Sequence, residues 1–228
     1  MSKQISSRNP KKRRWRLKNR RIYVFAVALV AVVAALSVGL TQCARQKPGA
    51  QPAAVAPEDA YGLPVTTRFV AEGMRCRPGI DRQIRYIVIH ETGNPAEGAD
   101  AAAHSRFLSS DEGNQTSWHY TVDDHQVYHH IPDDEVAWHA GDQRTPGGGN
   151  MCGVGVELCV NADGDFERTF DNGAKLTAYL LDQYGLGLDA VKQHADFMQK
   201  NCPEHIRDQG RWQEFLDRVA GYRRKSAV

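Results

Sequence analysis

Several motifs that would assign a chemistry at once are absent from this sequence. It has no CxxC pair, which excludes a zinc finger or a thioredoxin-like site as a motif, and no GxSxG, which excludes the nucleophile elbow of serine hydrolases. His90-Glu91 begins like the HExxH motif of zinc proteases, but Asn94 stands where the second histidine is required. No internal repeat is present either. Any chemistry must therefore be sought in residues scattered along the chain.

Acidic residues are missing from residues 1–21, which hold ten of the 29 lysines and arginines of the chain. Residues 22–228 then carry 19 basic and 27 acidic residues, a formal charge of −8, although the whole chain is formally +2. A phosphate-binding surface needs its Lys and Arg concentrated on the folded part of the protein. The distribution therefore argues against nucleic acid as a partner.

Charge of either sign is missing from residues 22–40, a run of nineteen residues. A helix needs about 20 such residues to cross a membrane. With the basic residues 1–21 before it, the run predicts a cytoplasmic tail, an N-terminal transmembrane helix and export of everything after Leu40. Its length favours an uncleaved signal-anchor, but Ser37-Val38-Gly39 resembles a signal-peptide cleavage site, so both alternatives stay open. We expect a membrane-anchored or secreted protein whose domain lies in the periplasm or outside the cell.

The rest of the chain divides into a spacer and one domain. Residues 41–62 are rich in Ala, Pro and Gln and lack apolar periodicity, which predicts a linker, whereas residues 63–228 have the composition of one folded domain. Five cysteines follow residue 40, and an odd number means that at least one serves another purpose than a disulfide. A Cys76–Cys152 disulfide is one pairing that the sequence leaves open.

Short apolar runs alternate with amphipathic segments in residues 63–228. They predict strands and helices in interleaved order: strands at 86–90, 119–122, 126–130, 154–160 and 191–194, and helices at 99–108, 171–184 and 211–222. In the first helix, we expect Ala101, Phe107 and Leu108 to face inward. The order predicts an α/β fold, with a mixed central β-sheet flanked by helices.

Glu157 lies within the apolar strand predicted at 154–160. Burial of an unpaired carboxylate costs several kcal/mol, so its presence there needs an explanation. Strand alternation puts Gly155 on the same face, which leaves space beside the carboxylate. An edge strand with Glu157 in water is the alternative, but five of the seven residues are strongly apolar, which favours a site role.

Three other residues have side chains that suit zinc. His90 ends the first predicted core strand, and His194 and Cys202 lie near the C-terminus. Imidazole and thiolate both bind Zn²⁺, and three protein ligands with a fourth position open is the arrangement of a catalytic zinc site. Each residue alone also fits an ordinary role, as a strand-end histidine, a surface histidine or a disulfide partner. His205 is a rival ligand because it lies close to Cys202 in the sequence.

Six segments together carry a resemblance: IVIHETGNP (87–95), SWHYTVDD (117–124), VYHHIP (127–132), VAWHAGD (136–142), GVGVELCVNADGD (153–165) and QHADFMQKNCP (193–203). In this order they resemble the type 2 N-acetylmuramoyl-L-alanine amidases, which include phage lysozyme-like amidases and relatives of the peptidoglycan recognition proteins. The resemblance covers roughly Arg82 to Arg207. It implies an amidase or peptidoglycan-recognition-protein-like fold.

The resemblance also implies roles for individual residues. His90, His194 and Cys202 match the zinc ligands, Glu157 matches the acidic catalytic residue, and Lys200 matches the lysine proposed to stabilise the oxyanion. Residues that match the lining of the substrate groove, and so imply substrate binding, are Trp118, His119, Trp138 and His139. Many relatives have Asp where this chain has Cys202, and a thiolate also binds zinc.

The activity that the resemblance implies is zinc-dependent hydrolysis of the amide bond between N-acetylmuramic acid and L-alanine in peptidoglycan, by a monomer. The alternative from another class is a recognition module that holds peptidoglycan without cutting it. Relatives of that kind lack the third ligand, which Cys202 supplies here.

Overall fold

A computed structural model describes residues 59–110 and 115–226 of the chain. The predicted cytoplasmic tail, the predicted transmembrane helix and most of the predicted linker lie outside these residues. Within the described part, none of the helices is long and apolar enough to cross a membrane. The last residues of the predicted linker pack on the domain, because Ala60 is buried in the core and exchanges backbone hydrogen bonds with Leu63. Asp59 and Ala60 therefore belong to the folded part of the described chain.

In the part of the chain that the structure describes, six strands form one mixed sheet. Their bounds are β1 Val65–Thr67, β2 Tyr86–Glu91, β3 Tyr120–Val122, β4 Val127–His129, β5 Gly153–Leu158 and β6 Val191–Gln193. The spatial order is β1-β4-β3-β5-β2-β6. Only the β3–β4 hairpin is antiparallel, and the other four pairings are parallel. The sheet confirms the predicted mixed α/β architecture.

Among the described residues, five α-helices accompany the sheet: α1 Ala101–Ser110, α2 Gly149–Cys152, α3 Phe166–Gln183, α4 Glu204–Asp208 and α5 Trp212–Ser226. The main core joins α3 and α5 to the apolar side chains of the central strands, such as Ile87, Val156 and Leu158. A second, smaller core contains Leu108 of α1. Because side chains alternate along a strand, the residues between the core positions of β2 and β5 point to the opposite face of the sheet.

Helix α3 begins earlier than the predicted start at Asp171. Asp165 precedes the helix, and its side chain accepts a hydrogen bond from the Arg168 backbone N–H at 3.2 Å. The Asn-Ala-Asp-Gly-Asp segment is therefore a turn that ends directly in a helix N-cap. At the other end Gly185 takes a positive φ of 62°, which confirms it as the residue that stops the helix.

One expectation from the sequence is wrong, and one pairing that the sequence left open is not formed. Phe107 does not face inward: its neighbour Leu108 is fully buried, whereas Phe107 is 46% exposed. Successive helix residues lie about 100° apart, so a helix that packs through one narrow face cannot bury both. The disulfide between Cys76 and Cys152, which the sequence left open, is not formed in the structure, where both residues are buried.

Candidate metal and catalytic site

The register of two neighbouring parallel strands places the first two site residues together. His90 of β2 lies directly opposite Glu157 of β5. Both belong to the face of the sheet that is turned away from the α3–α5 core, because their strand neighbours Ile89 and Val156 are in that core. The His90 Nδ1 and Glu157 Oε1 atoms are 3.9 Å apart.

Two loops after the strands bring in the other predicted ligands. Strand β6 pairs with β2, and His194 follows β6 in a short 3-10 turn, His194–Asp196. Cys202 lies just before α4, and the loop between the two residues is closed by a hydrogen bond from the Ala195 N–H to the Cys202 carbonyl at 3.1 Å. The two residues are therefore fixed beside His90 by short backbone connections.

The three predicted ligands form one buried cluster. His90 Nδ1 lies 3.0 Å from His194 Nδ1 and 4.0 Å from Cys202 Sγ, and the donor atoms of the three residues all lie within 4.8 Å of one another. Zinc bond lengths of about 2.0 to 2.3 Å in tetrahedral geometry need donor atoms about 3.3 to 3.6 Å apart. The donor set and its spacing therefore fit a zinc ion, with one position left for another ligand.

Burial favours the uncharged form of every group in the cluster. It lowers the pKa of His90 well below its usual value and lowers the pKa of His194 to about 4, so both imidazoles are neutral and have a lone pair. Burial, with the nearby Glu157 carboxylate, raises the pKa of Cys202 to about 12. A cation that binds there would therefore displace the thiol proton.

Glu157 has a buried carboxyl group that is only partly satisfied by hydrogen bonds or charges. Its Oε2 atom is buried and has no hydrogen-bond partner among the described residues. Burial raises its pKa to about 7, opposed by the positive charge of Lys200. A carboxyl that titrates near neutral pH can both accept and return a proton, which is the property required of a general acid–base catalyst.

An open cleft of about 400 Å³ gives access to this carboxylate. Glu157 and Lys200 line it at the polar end, and a wall of α1 forms the apolar side with Ala103 and Phe107. Phe107, which the sequence placed in the core, is thus a cleft residue. Its exposure has a physical reason, since an apolar side chain at the rim of a cleft is positioned to contact a ligand.

The four residues predicted to contact substrate occupy different places. Trp118 lines the cleft and donates its indole N–H to Thr121 Oγ1 at 2.6 Å. Trp138 is half buried with the Arg144 guanidinium 5.7 Å from its ring centroid, and the described cleft wall does not include it.

His119 and His139 lie beneath the surface of the site. The His119 ring accepts a hydrogen bond from the Gly155 N–H at Nδ1, 2.9 Å away, and has the Glu135 carbonyl 3.0 Å from Nε2. His139 is 6% exposed and lies between His90 and the Gly153 carbonyl. The described cleft wall includes neither histidine, and their contact with substrate stays a prediction.

The rival ligand His205 lies on α4 and contacts Glu91. Glu91 Oε2 accepts hydrogen bonds from the His205 backbone N–H at 2.8 Å and contacts its Nδ1 at 2.7 Å, while Oε1 accepts from the Ile206 N–H at 3.0 Å. His205 is not part of the cluster formed by the three predicted ligands. Sequence reasoning missed this structural role of Glu91, because the three donors belong to a helix more than 110 residues away.

Comparison with known proteins assigns the domain. The family model described as N-acetylmuramoyl-L-alanine amidase matches residues 80–205. Among curated proteins, the chain is 40% identical to the N-acetylmuramoyl-L-alanine amidase XlyA of Bacillus subtilis over 153 residues, which are 67% of this chain and 50% of that protein. It is 41% identical to the amidase CwlH of the same organism over 144 residues, 63% of this chain and 56% of that one. The match thus spans about half the length of these relatives.

Solved structures agree in fold. The catalytic domain of XlyA superposes with a TM-score of 0.65 at 38% identity, over 69% of this chain and 99% of that one. PlyL superposes with a TM-score of 0.63 at 26% identity, over 69% and 97% of the two chains. The range matched by the family model, residues 80–205, includes all the residues of the cluster and cleft described above.

Proposed function

Since the chain belongs to the N-acetylmuramoyl-L-alanine amidase family, we propose that it hydrolyses the amide bond between N-acetylmuramic acid and L-alanine in peptidoglycan, with a zinc ion held by His90, His194 and Cys202. The observation that carries the proposal is that these three buried donors lie beside Glu157, which lines an open cleft and whose Oε2 has no hydrogen-bond partner among the described residues. The amidase names of its relatives support the substrate.

Each residue of the cleft has a separate role in the proposed reaction. Zinc, when bound, would supply a Lewis acid for the scissile carbonyl and lower the pKa of water towards about 7. Glu157 accepts the proton of the attacking water and delivers a proton to the departing L-alanine nitrogen, for which a pKa of about 7 is suited. The Lys200 ammonium lies on the same cleft wall and supplies positive charge to the oxyanion of the tetrahedral intermediate.

The test is a digestion of purified sacculi by the full chain, followed by mass spectrometry of the soluble products. Stem peptides with a free L-alanine amino group are expected, and they should disappear with a chelator and return with zinc. His194→Ala and Cys202→Ala should release none, whereas the matched control His125→Ala, at an exposed turn between β3 and β4, should digest normally. Binding of sacculi without peptide release would contradict the amidase and support a recognition module.

We further propose that the domain acts on the outer side of a membrane as a monomer. The uncharged residues 22–40 and the basic residues before them support this placement, because the positive flank stays in the cytoplasm. Peptidoglycan lies on that outer side. The test is protease treatment of intact spheroplasts, in which the domain should be digested while the cell interior is protected; protection of the domain would contradict the proposal.

A further inference from the structure

A chain of contacts leads from the backbone of β5 through two imidazoles to the candidate metal site. The Gly153 carbonyl lies 3.0 Å from His139 Nε2, and His139 Nδ1 lies 3.0 Å from His90 Nε2. A carbonyl only accepts hydrogen bonds, so His139 Nε2 carries the proton and donates it. In a neutral ring, His139 Nδ1 is then an acceptor, and His90 Nε2–H donates to it.

These donor and acceptor roles fix the state of His90. With its proton on Nε2, a neutral His90 has its lone pair on Nδ1, which is the atom that faces His194 Nδ1 and Cys202 Sγ. The opposite tautomer would put a proton on the atom that must bind the metal. In that tautomer His90 Nε2 would also have a lone pair, 3.0 Å from the lone pair of His139 Nδ1, and the two would repel each other.

The surrounding chain holds His139 in this place. Asn150 Oδ1 accepts hydrogen bonds from the His139 and Ala140 backbone N–H groups, at 2.8 and 2.7 Å. Gly155 provides the space, because a Cβ atom at that position would lie 2.7 Å from Cγ of the His139 ring. The hydrogen bonds to Asn150 thus fix the backbone of His139, and the absence of a side chain at Gly155 leaves room for its ring.

We propose that His139 is a positioning residue that holds His90 in the Nε2–H tautomer with Nδ1 directed at the metal, instead of a substrate contact. This role should raise the affinity of the site for zinc, and that effect rests on the proposed zinc-dependent function. In other zinc proteins, removal of a hydrogen-bond partner of a metal-binding histidine lowers the metal affinity by about 10 to 100-fold. The tautomer itself is a property of the metal-free protein.

The first measurement is histidine ring ¹⁵N NMR of the metal-free full chain, with the His90 signals identified by their loss in His90→Gln. We expect His90 as the Nε2–H tautomer. The second measurement is zinc affinity by competition with a chromophoric chelator. His139→Phe keeps a ring but removes the acceptor, and zinc affinity should fall by about 10 to 100-fold. His139→Gln can donate to the Gly153 carbonyl and accept from His90, so it should recover most of the loss.

The matched control is His130→Gln, which changes another buried histidine whose ring contacts Thr121 Oγ1 instead of a predicted ligand. It should leave zinc affinity unchanged. The proposal is overturned if His90 carries its proton on Nδ1, or if a folded His139→Phe binds zinc like the wild type. Equal losses in the Phe and Gln variants would also overturn it. A wild-type chain without zinc affinity would contradict the proposed function, whereas the tautomer would still decide the role of His139.

Discussion

The sharpest quantitative test concerns the cost of burying Glu157. Its pKa is raised to about 7 from an ordinary 4.5, mainly by burial. Since 1.36 kcal/mol corresponds to one pKa unit, ionisation of this group in the folded protein costs about 3 kcal/mol. In the metal-free protein, the Glu157→Gln variant should therefore have a higher free energy of unfolding than the wild type at pH 8, by about 3 kcal/mol.

The sign of the pH dependence follows from proton binding. A folded pKa above the unfolded one means that the folded state holds more protons between pH 4.5 and 7, so stability is lost as the pH rises through this window. Below pH 4.5 both states are protonated and the two proteins should be nearly equal. The difference between wild type and variant removes the contribution of the other titrating groups, including the buried histidines, whose lowered pKa values act in the opposite direction.

The assay is urea unfolding of residues 59–228, which contain the described domain, in the presence of EDTA from pH 4 to 8. Saturating zinc should reduce the difference at pH 8, because the cation stabilises the carboxylate, and turnover of the variant should be lost. Glu91→Gln is the matched control on the neighbouring strand. Its carboxylate accepts from the backbone N–H groups of His205 and Ile206, so this variant should lose about 1 to 3 kcal/mol. A pH-independent difference for Glu157→Gln would refute the reasoning.

Further predictions concern the ligand, the cleft and the sheet. Cys202→Ala should abolish measurable zinc binding in a chelator competition, since it removes one of three donors, while chemical unfolding shows a folded domain. Leu108→Ala should cost about 2 to 5 kcal/mol in urea unfolding, whereas Phe107→Ala should cost under about 1 kcal/mol and instead raise the KM for sacculi. Gly155→Ala should cost about 1 to 3 kcal/mol and weaken zinc binding, because the new Cβ displaces the His139 ring. Equal costs for the two α1 variants, or unchanged zinc affinity in Gly155→Ala, would contradict the structure.

The regular part of the fold was predictable because its signals are local. The period-2 pattern located β2 and β5 and put Gly155 and Glu157 on one face, and the structure places both there. Strand β1 and the short helices α2 and α4 were missed. Three residues, Val65–Thr67, are too few to show a period, and α2 contains Gly149 in a four-residue turn. Elements of this length form because the sheet and its loops hold them.

The site was predictable only in part, for a different physical reason. Two ligands come from loops, and nothing in the period of a sequence tells how a loop returns to a strand. Only the resemblance to the amidases joined His194 and Cys202 to His90. The partners of these residues could not be predicted. The resemblance implied that His139 lines the substrate groove, which stays a prediction, but it did not show that the ring contacts the Gly153 carbonyl and occupies the space at Gly155.

Burial keeps four groups of the site uncharged in the metal-free protein, and of these only Glu157 carries a stability cost at neutral pH. Glu157 and the Cys202 thiol resist ionisation, and the His90 and His194 imidazoles resist protonation, because all four are buried. A cation that binds only the folded state, at a free concentration about 1,000 times its Kd, raises the free energy of unfolding by about 4 kcal/mol. Zinc binding and folding should therefore be coupled. Cys202 is only 3% exposed. This burial limits the access of oxidants and other thiols to its sulfur in the metal-free protein, which keeps the thiol available as a zinc ligand.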